Sequence, residues 1–77
     1  MTTLEQVRHV LAPLALAPLP ADDEASLFDL GVIDSFGLLA LARALETEFG
    51  IRLPKSDVVP RRLETIARIA RLVDARR

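Results

Sequence analysis

Prolines stand at positions 13, 18, 20, 54 and 60 of the 77-residue chain, and their placement constrains the fold more than any other feature. A proline ring removes a backbone donor and clashes with the preceding turn, so a helix ends near one or begins at it. Three stretches remain uninterrupted: 1–12, 21–53 and 61–77. In the first, Thr2 and Thr3 stand three residues before Glu5 and Gln6, the spacing of a capping box. Leu4, Val7, Leu11 and Leu14 then keep one face apolar, and Pro13 ends or kinks this helix near Ala12.

The second helix starts at Asp34 or Ser35 and stops at Gly50, a residue that enters the left-handed region without a Cβ penalty, with Ile51 placed to pack back on Leu45. At about 100° per residue, Leu38, Leu41, Ala42, Leu45 and Phe49 cluster on its core side. The segment IRLPKSDVVP reads as a short extended piece, a break at Pro54 and one turn at Ser56 to Val59 before Pro60. In the last helix Ile66, Ile69, Ala70 and Val73 sit at i, i+3, i+4 and i+7 with arginines opposite. The long connection from Pro13 to Ile33 carries the acidic cluster Asp22, Asp23 and Glu24 and a single turn at Ala25 to Asp29; Leu27, Phe28 and Leu30 are its expected pins.

The hydrophobic content of 51%, mostly Leu, Ala, Val and Ile with only three Phe, suits a helical bundle better than a sandwich of sheets. The expected fold is all-α: one domain over 1–77, a small right-handed bundle of three main helices with a short one between the second and last. Its core is expected at Leu4, Val7, Leu11, Leu38, Leu41, Leu45, Phe49, Ile51, Ile66, Ile69 and Val73.

Several functions are excluded by what the chain lacks. With no cysteine there is no disulfide frame, thiolate metal site or thiol nucleophile; a reducing cytoplasmic setting is natural, and any thiol chemistry must be imported. One histidine, His9, and scattered carboxylates make no metal-ligand set. No apolar run approaches the roughly 20 residues that cross a bilayer, and the N-terminus lacks a basic segment, so no membrane role is expected. Positions 1–60 hold four basic against nine acidic residues and positions 61–77 six against two. The arginine-rich end does not read as a nucleic-acid site, because Arg68, Arg71, Arg76 and Arg77 fall on the polar side or last turn of a helix and no aromatic is there to stack on a base.

One face of the second helix is apolar without a core to explain it. Phe36, Leu39, Ala40, Arg43 and Thr47 lie nearly opposite the core side, with Ser35 and Glu46 at the border. Moving Phe36 or Leu39 from water into a partner's pocket releases about 1.5–3 kcal/mol each, which makes a docking spot; the alternative is burial by other helices or ordinary surface scatter. A cleft between this helix and the Val58, Val59 turn is a candidate shelter for a short chain, although so small a core also needs these aliphatic residues as filling. Ser35 likewise has two readings. A hydroxyl at the positive end of a helix favours a bound or attached anion; it is more commonly an N-cap, a task Asp34 is also able to perform. Gly37 costs about 1 kcal/mol inside a helix relative to alanine and leaves room for close approach near Ser35. Catalysis by Ser35 is not expected: IDSFG lacks the first glycine of G-x-S-x-G, and no spacing argues for His9 as its base.

The run L-F-D-L-G-V-I-D-S-F (27–36), the apolar helix after it and L-E-T-E-F-G-I-R-L-P-K-S-D (45–57) resemble acyl and peptidyl carrier proteins over nearly the whole chain. The resemblance implies a non-enzymatic carrier with no catalytic or metal-binding residues. It also implies a 4′-phosphopantetheine arm attached to Ser35 beside Asp34, donated by coenzyme A through a separate magnesium-using phosphopantetheinyl transferase. The arm would hold an acyl or aminoacyl group as a thioester for a loading ligase and downstream synthase or transferase enzymes, with Phe36, Leu39, Arg43 and Glu46 in docking positions. Fatty-acid carriers usually have G-x-D-S, whereas Gly31-Val32-Ile33-Asp34-Ser35 has one more residue, as in D-alanyl carriers and stand-alone carriers of specialised biosynthesis. The exposed side of the helix holds Gly37, Ala40 and Arg43 where fatty-acid carriers are acidic, so docking is expected to rest more on apolar contact than on charge steering. A monomer is expected of a protein that visits several enzymes. The alternative is an unmodified helical protein-interaction module of the same shape.

Overall fold

The computed structural model describes residues 1–77, all of whose regular structure is helical. Helix α1 spans Thr3–Leu11, α2 Leu38–Phe49, α3 Pro60–Leu63 and α4 Ile66–Arg76. The start of α1 is the reciprocal cap expected from its sequence: Thr2 Oγ1 accepts the Glu5 N–H at 3.2 Å, and Glu5 Oε1 accepts the Thr2 N–H at 3.0 Å. The Thr2 hydroxyl also donates to Glu5 Oε1 at 3.0 Å, and the two bonds the carboxyl accepts, first that from the Thr2 N–H and then that from the hydroxyl, hold it below its ordinary pKa of 4.5. After Leu11 the chain tightens into a 3₁₀ turn at Ala12–Leu14, which absorbs Pro13, and leaves the helix.

Helix α1 packs against both α2 and α4, and α3 packs against α4. Val7, Leu11, Leu38, Leu41, Leu45, Ile66, Ile69 and Val73 are buried as expected, while Leu4, Phe49 and Ile51 are half-buried at the edge of the core. Phe49 is capped from solvent by Arg77, whose guanidinium lies 5.2 Å from the ring centroid. Helix α2 ends at Gly50 with φ 63° and ψ 38°, its N–H bonded to the Glu46 carbonyl, as the glycine predicts. No helix is long and apolar enough to cross a membrane.

The long connection departs most from expectation. Its turn lies at residues 27–31, two positions later than the sequence suggests, and is closed by Leu30 N–H to Ser26 O at 3.1 Å and Gly31 N–H to Phe28 O at 3.1 Å. Leu27 is fully buried and Phe28 half-buried, but Leu30 is half exposed and pins nothing. The other anchors are Val32 and Ile33, at 0% and 3% exposure, which turn inward as the turn unwinds. Polar ties supplement them. Arg8 on α1 donates to Pro20 O at 2.8 Å, to Ala21 O at 3.0 Å and to Asp23 Oδ1 at 2.6 Å. Leu27 N–H reaches Glu64 O at 2.8 Å, and Ala67 N–H reaches Asp23 O at 3.0 Å, fastening the connection to the beginning of α4.

Between α2 and α3 the turn falls at Lys55–Asp57, not Ser56 to Val59, and Pro60 opens α3. Proline suits the first position of a helix because its missing N–H would have had no partner there. Asp57 is 1% exposed and accepts from Arg76 Nε at 2.8 Å, with Arg62 at 3.8 Å. That hydrogen bond, together with the carboxylate's charge, raises the pKa of Arg76 above its already high ordinary value. The last turn of α4 thereby holds down the connection that leads away from α2.

Candidate functional site

The segment that delivers Ser35 is fixed from below. Val32 and Ile33 are buried, and their N–H groups reach Leu27 O at 2.9 Å and 3.3 Å, while Leu16 N–H bonds Val32 O at 2.8 Å. Directly after them the chain surfaces: Asp34, Ser35 and Phe36 are all exposed. Asp34 is extended, with φ −120° and ψ 177°, and its Oδ1 accepts the Gly37 N–H at 3.0 Å. Ser35–Gly37 form a 3₁₀ turn that leads into α2.

Two sequence readings of this segment are thereby resolved. The cap of the second helix is Asp34, and the Ser35 hydroxyl makes no hydrogen bond with any protein group. Regular α-helical structure begins only at Leu38, because the first turn is wound as 3₁₀ around the aspartate cap. Gly37 does not clear space for an outside group: a Cβ there would lie 3.1 Å from Ile33 Cγ1 and 3.7 Å from Asp34 Oδ1. Its missing side chain accommodates the buried isoleucine and the capping carboxylate.

Phe36 is 94% exposed and Leu39 57% exposed, so the rest of the bundle does not wrap around them. Ala40, Arg43 and Thr47 are exposed along the same side of α2. Glu46 differs from the others; it is half-buried, and its Oε2 accepts the Leu53 N–H at 2.9 Å, tying the extended segment after Gly50 to the helix. Beside this face lies a groove of about 470 Å³ lined by Leu39, Ala42, Arg43, Glu46, Leu53, Lys55 and Val58. Val58 thus lines the cleft expected from sequence, while Val59 stands outside it as the residue preceding α3. Lys55 and Leu53 were not legible as site residues, since Lys55 belongs to a turn that starts one residue earlier than expected and Leu53 to the irregular segment before it.

His9 and Ser35 share no hydrogen bond, and His9 is exposed on α1. What the site offers is an accessible, unbonded hydroxyl at the start of a twelve-residue helix, with apolar side chains and a groove beside it. Without an adjacent base or metal ligand, that is an arrangement for attachment and contact.

Comparison with known proteins bears on the same region and on the whole chain. The family model described as "Phosphopantetheine attachment site" matches residues 5–73. D-alanyl carrier protein 1 of Lactiplantibacillus plantarum is 31% identical over 72 residues, which cover 94% of this chain and 90% of that protein. No solved structure gives a significant match. With its all-helical build and a family match running from α1 into α4, the chain belongs to the phosphopantetheine-binding carrier family, non-catalytic proteins whose prosthetic group is 4′-phosphopantetheine.

Proposed function

We propose that Ser35 is the attachment point of the 4′-phosphopantetheine arm and that residues 1–77 act as one carrier domain for an acyl or aminoacyl group. The single observation that carries the assignment is the division of labour at the start of α2. Asp34 takes the cap, which leaves the exposed Ser35 hydroxyl free for a covalent partner. The residues fit such a group. A phosphodiester at Ser35 would sit beside the positive end of α2, where backbone N–H groups and the helix dipole favour an anion. When bound, the arm supplies the thiol that a chain without cysteine lacks, and that thiol holds its cargo as a thioester.

Phe36, Leu39, Arg43 and Glu46 are the proposed docking residues for a phosphopantetheinyl transferase, a loading ligase and downstream synthase or transferase enzymes. Exposure of both large apolar side chains supports this for Phe36 and Leu39. Glu46 contributes with its second oxygen, since the first is occupied by the Leu53 N–H. The name of the D-alanyl carrier relative makes an amino acid the first cargo to test, and the G-x-x-D-S spacing agrees with a stand-alone carrier of specialised biosynthesis. We place it in the cytoplasm as a monomer, a setting that suits a thiol arm and a protein that visits several enzymes.

Incubation with coenzyme A and a broad-specificity transferase, read by intact mass, tests the assignment. One added phosphopantetheine is expected on the wild type and none on Ser35→Ala. Modification of the alanine variant would place the arm elsewhere, and an unmodified wild type would favour an interaction module that carries nothing.

A further inference from the structure

We propose that the surface beside Ser35 receives a partner element presenting an apolar side chain flanked by carboxylates, so that the carrier supplies the cations of the contact. The inference rests on the carrier reading above. By composition the face is balanced, since Asp34 and Glu46 oppose Arg43 and Lys55. The groove beside Leu39 breaks that balance at short range, because Arg43, Lys55 and Glu46 line it and Asp34 does not. Asp34 Oδ1 accepts the Gly37 N–H at 3.0 Å, and Glu46, half-buried, directs Oε2 to the Leu53 N–H at 2.9 Å. One oxygen of each carboxylate is thus tied to the protein's own backbone, and each keeps its charge and its second oxygen.

Arg43 and Lys55 are exposed and have neither a hydrogen-bond partner nor an ion pair, although other arginines, among them Arg8, Arg68, Arg76 and Arg77, are paired within the molecule. They share the walls of the groove of about 470 Å³ with Leu39, Ala42, Leu53 and Val58. Phe36 stands one turn before Leu39 at 94% exposure and extends the apolar strip toward Ser35. A leucine-like side chain seated on Leu39 and Leu53 brings its flanking residues against two unpaired cations. Carboxylates there gain two unpaired cations as partners, whereas lysines would meet like charge at both and find one acceptor, the second oxygen of the half-buried Glu46. Because the four charges cancel at a distance, discrimination comes from contact and not from long-range steering, in keeping with weak salt dependence of association.

The test uses two synthetic amphipathic helical peptides with identical leucine-bearing faces, one flanked by glutamates and the other by lysines, titrated into the ¹⁵N-labelled full chain. The glutamate peptide is expected to bind about fivefold or more tightly than the lysine peptide, the scale of a few exposed charge pairs made rather than opposed. Its amide shifts should centre on Leu39, Ala42, Arg43, Leu53, Lys55 and Val58. The double variant R43E/K55E, with its fold checked by circular dichroism, should reverse the preference. Equal or stronger binding of the lysine peptide, no binding of either, shifts confined to another face, or an unchanged preference in the variant would each overturn the proposal. Loading of the same wild-type sample from coenzyme A separates the two claims. If it loads while the peptide preference fails, only the partner chemistry falls; failure to load removes the carrier reading itself.

Discussion

Asp34 and Ser35 are adjacent, exposed and both suited to capping, yet the structure assigns the cap to Asp34 alone, and this makes a quantitative contrast between two alanine variants. Asp34→Ala removes the acceptor of the Gly37 N–H at 3.0 Å together with a negative charge at the positive end of the helix. A lost cap costs about 0.5–2 kcal/mol, typically about 1. For a domain of this size about 1 kcal/mol lowers the melting temperature by roughly 4–8 °C. Ser35→Ala removes an exposed hydroxyl bonded to nothing in the protein, and such surface changes stay within about 0.5 kcal/mol. Asp34→Asn, which keeps an acceptor oxygen, should fall between the two and closer to the wild type. Thermal unfolding followed by far-ultraviolet circular dichroism measures all three. Equal losses for Asp34→Ala and Ser35→Ala would refute the division of roles, because the serine would then be a structural residue and its availability for modification would need a competing opening step.

Two further outcomes follow from the charged groups. Asp57→Ala should lower the melting temperature by about 4–8 °C, since its buried carboxylate joins Arg76 at 2.8 Å and Arg62 at 3.8 Å. By contrast Arg71→Ala, which breaks a 3.4 Å pair with Glu24 that is 70% and 64% exposed, should change it little; equal shifts would contradict the argument from burial. The Glu5 carboxyl, held below 4.5 by the Thr2 N–H and hydroxyl, contributes stability that is present above pH 4.5 and lost as pH falls through its folded-state value. Titration by NMR should show that depressed value and a coincident change at the Thr2 amide, and Glu5→Gln should remove the pH dependence. A Glu5 titrating at or above 4.5 would show that the box is open in solution.

The parts of the fold that were legible in the sequence are those governed by local rules. The capping box of α1, the Gly50 stop of α2 and the i, i+3, i+4, i+7 stripe of α4 depend only on neighbours in sequence, and each stands where its pattern placed it. The connection was harder, because whether Leu30 or Val32 turns inward depends on the phase of an irregular turn, for which neither helical nor strand periodicity applies. Arg8 carries no signal of its role in the sequence, because its three acceptors belong to a segment more than ten residues away, brought beside it only by folding. Gly37 was misread for a related reason. Its constraint is the buried Ile33 at 3.1 Å from a notional Cβ, a contact set by the tertiary position of the preceding loop. At the site, Ser35, Phe36 and Leu39 were legible because their exposure follows from helix phase, while Lys55 was not, because the groove it lines needs the path of residues 51–58.

The contacts around Ser35 show how this 77-residue chain sets the segment leading into α2 at the surface. Val32 and Ile33, just upstream of Asp34 and Ser35, are among the most buried residues in the molecule, and Phe36, just after Ser35, is the most exposed of its large apolar side chains. Val32 and Ile33 act as the fixed end of a lever whose free end is the 3₁₀ turn at Ser35–Gly37. Between the apolar anchors of the connection, Arg8 to Asp23 on one side and the Leu27 N–H to Glu64 O on the other supply directional bonds. The far wall of the groove is treated the same way, with Glu46 holding Leu53 and Arg76 holding Asp57. In both places polar bonds add to the packing of the loops that flank the site, while Phe36 and Leu39 face outward. On the proposed reading of Ser35 as the attachment point, that combination sets the base of the arm beside the proposed docking face and leaves the hydroxyl free of protein bonds.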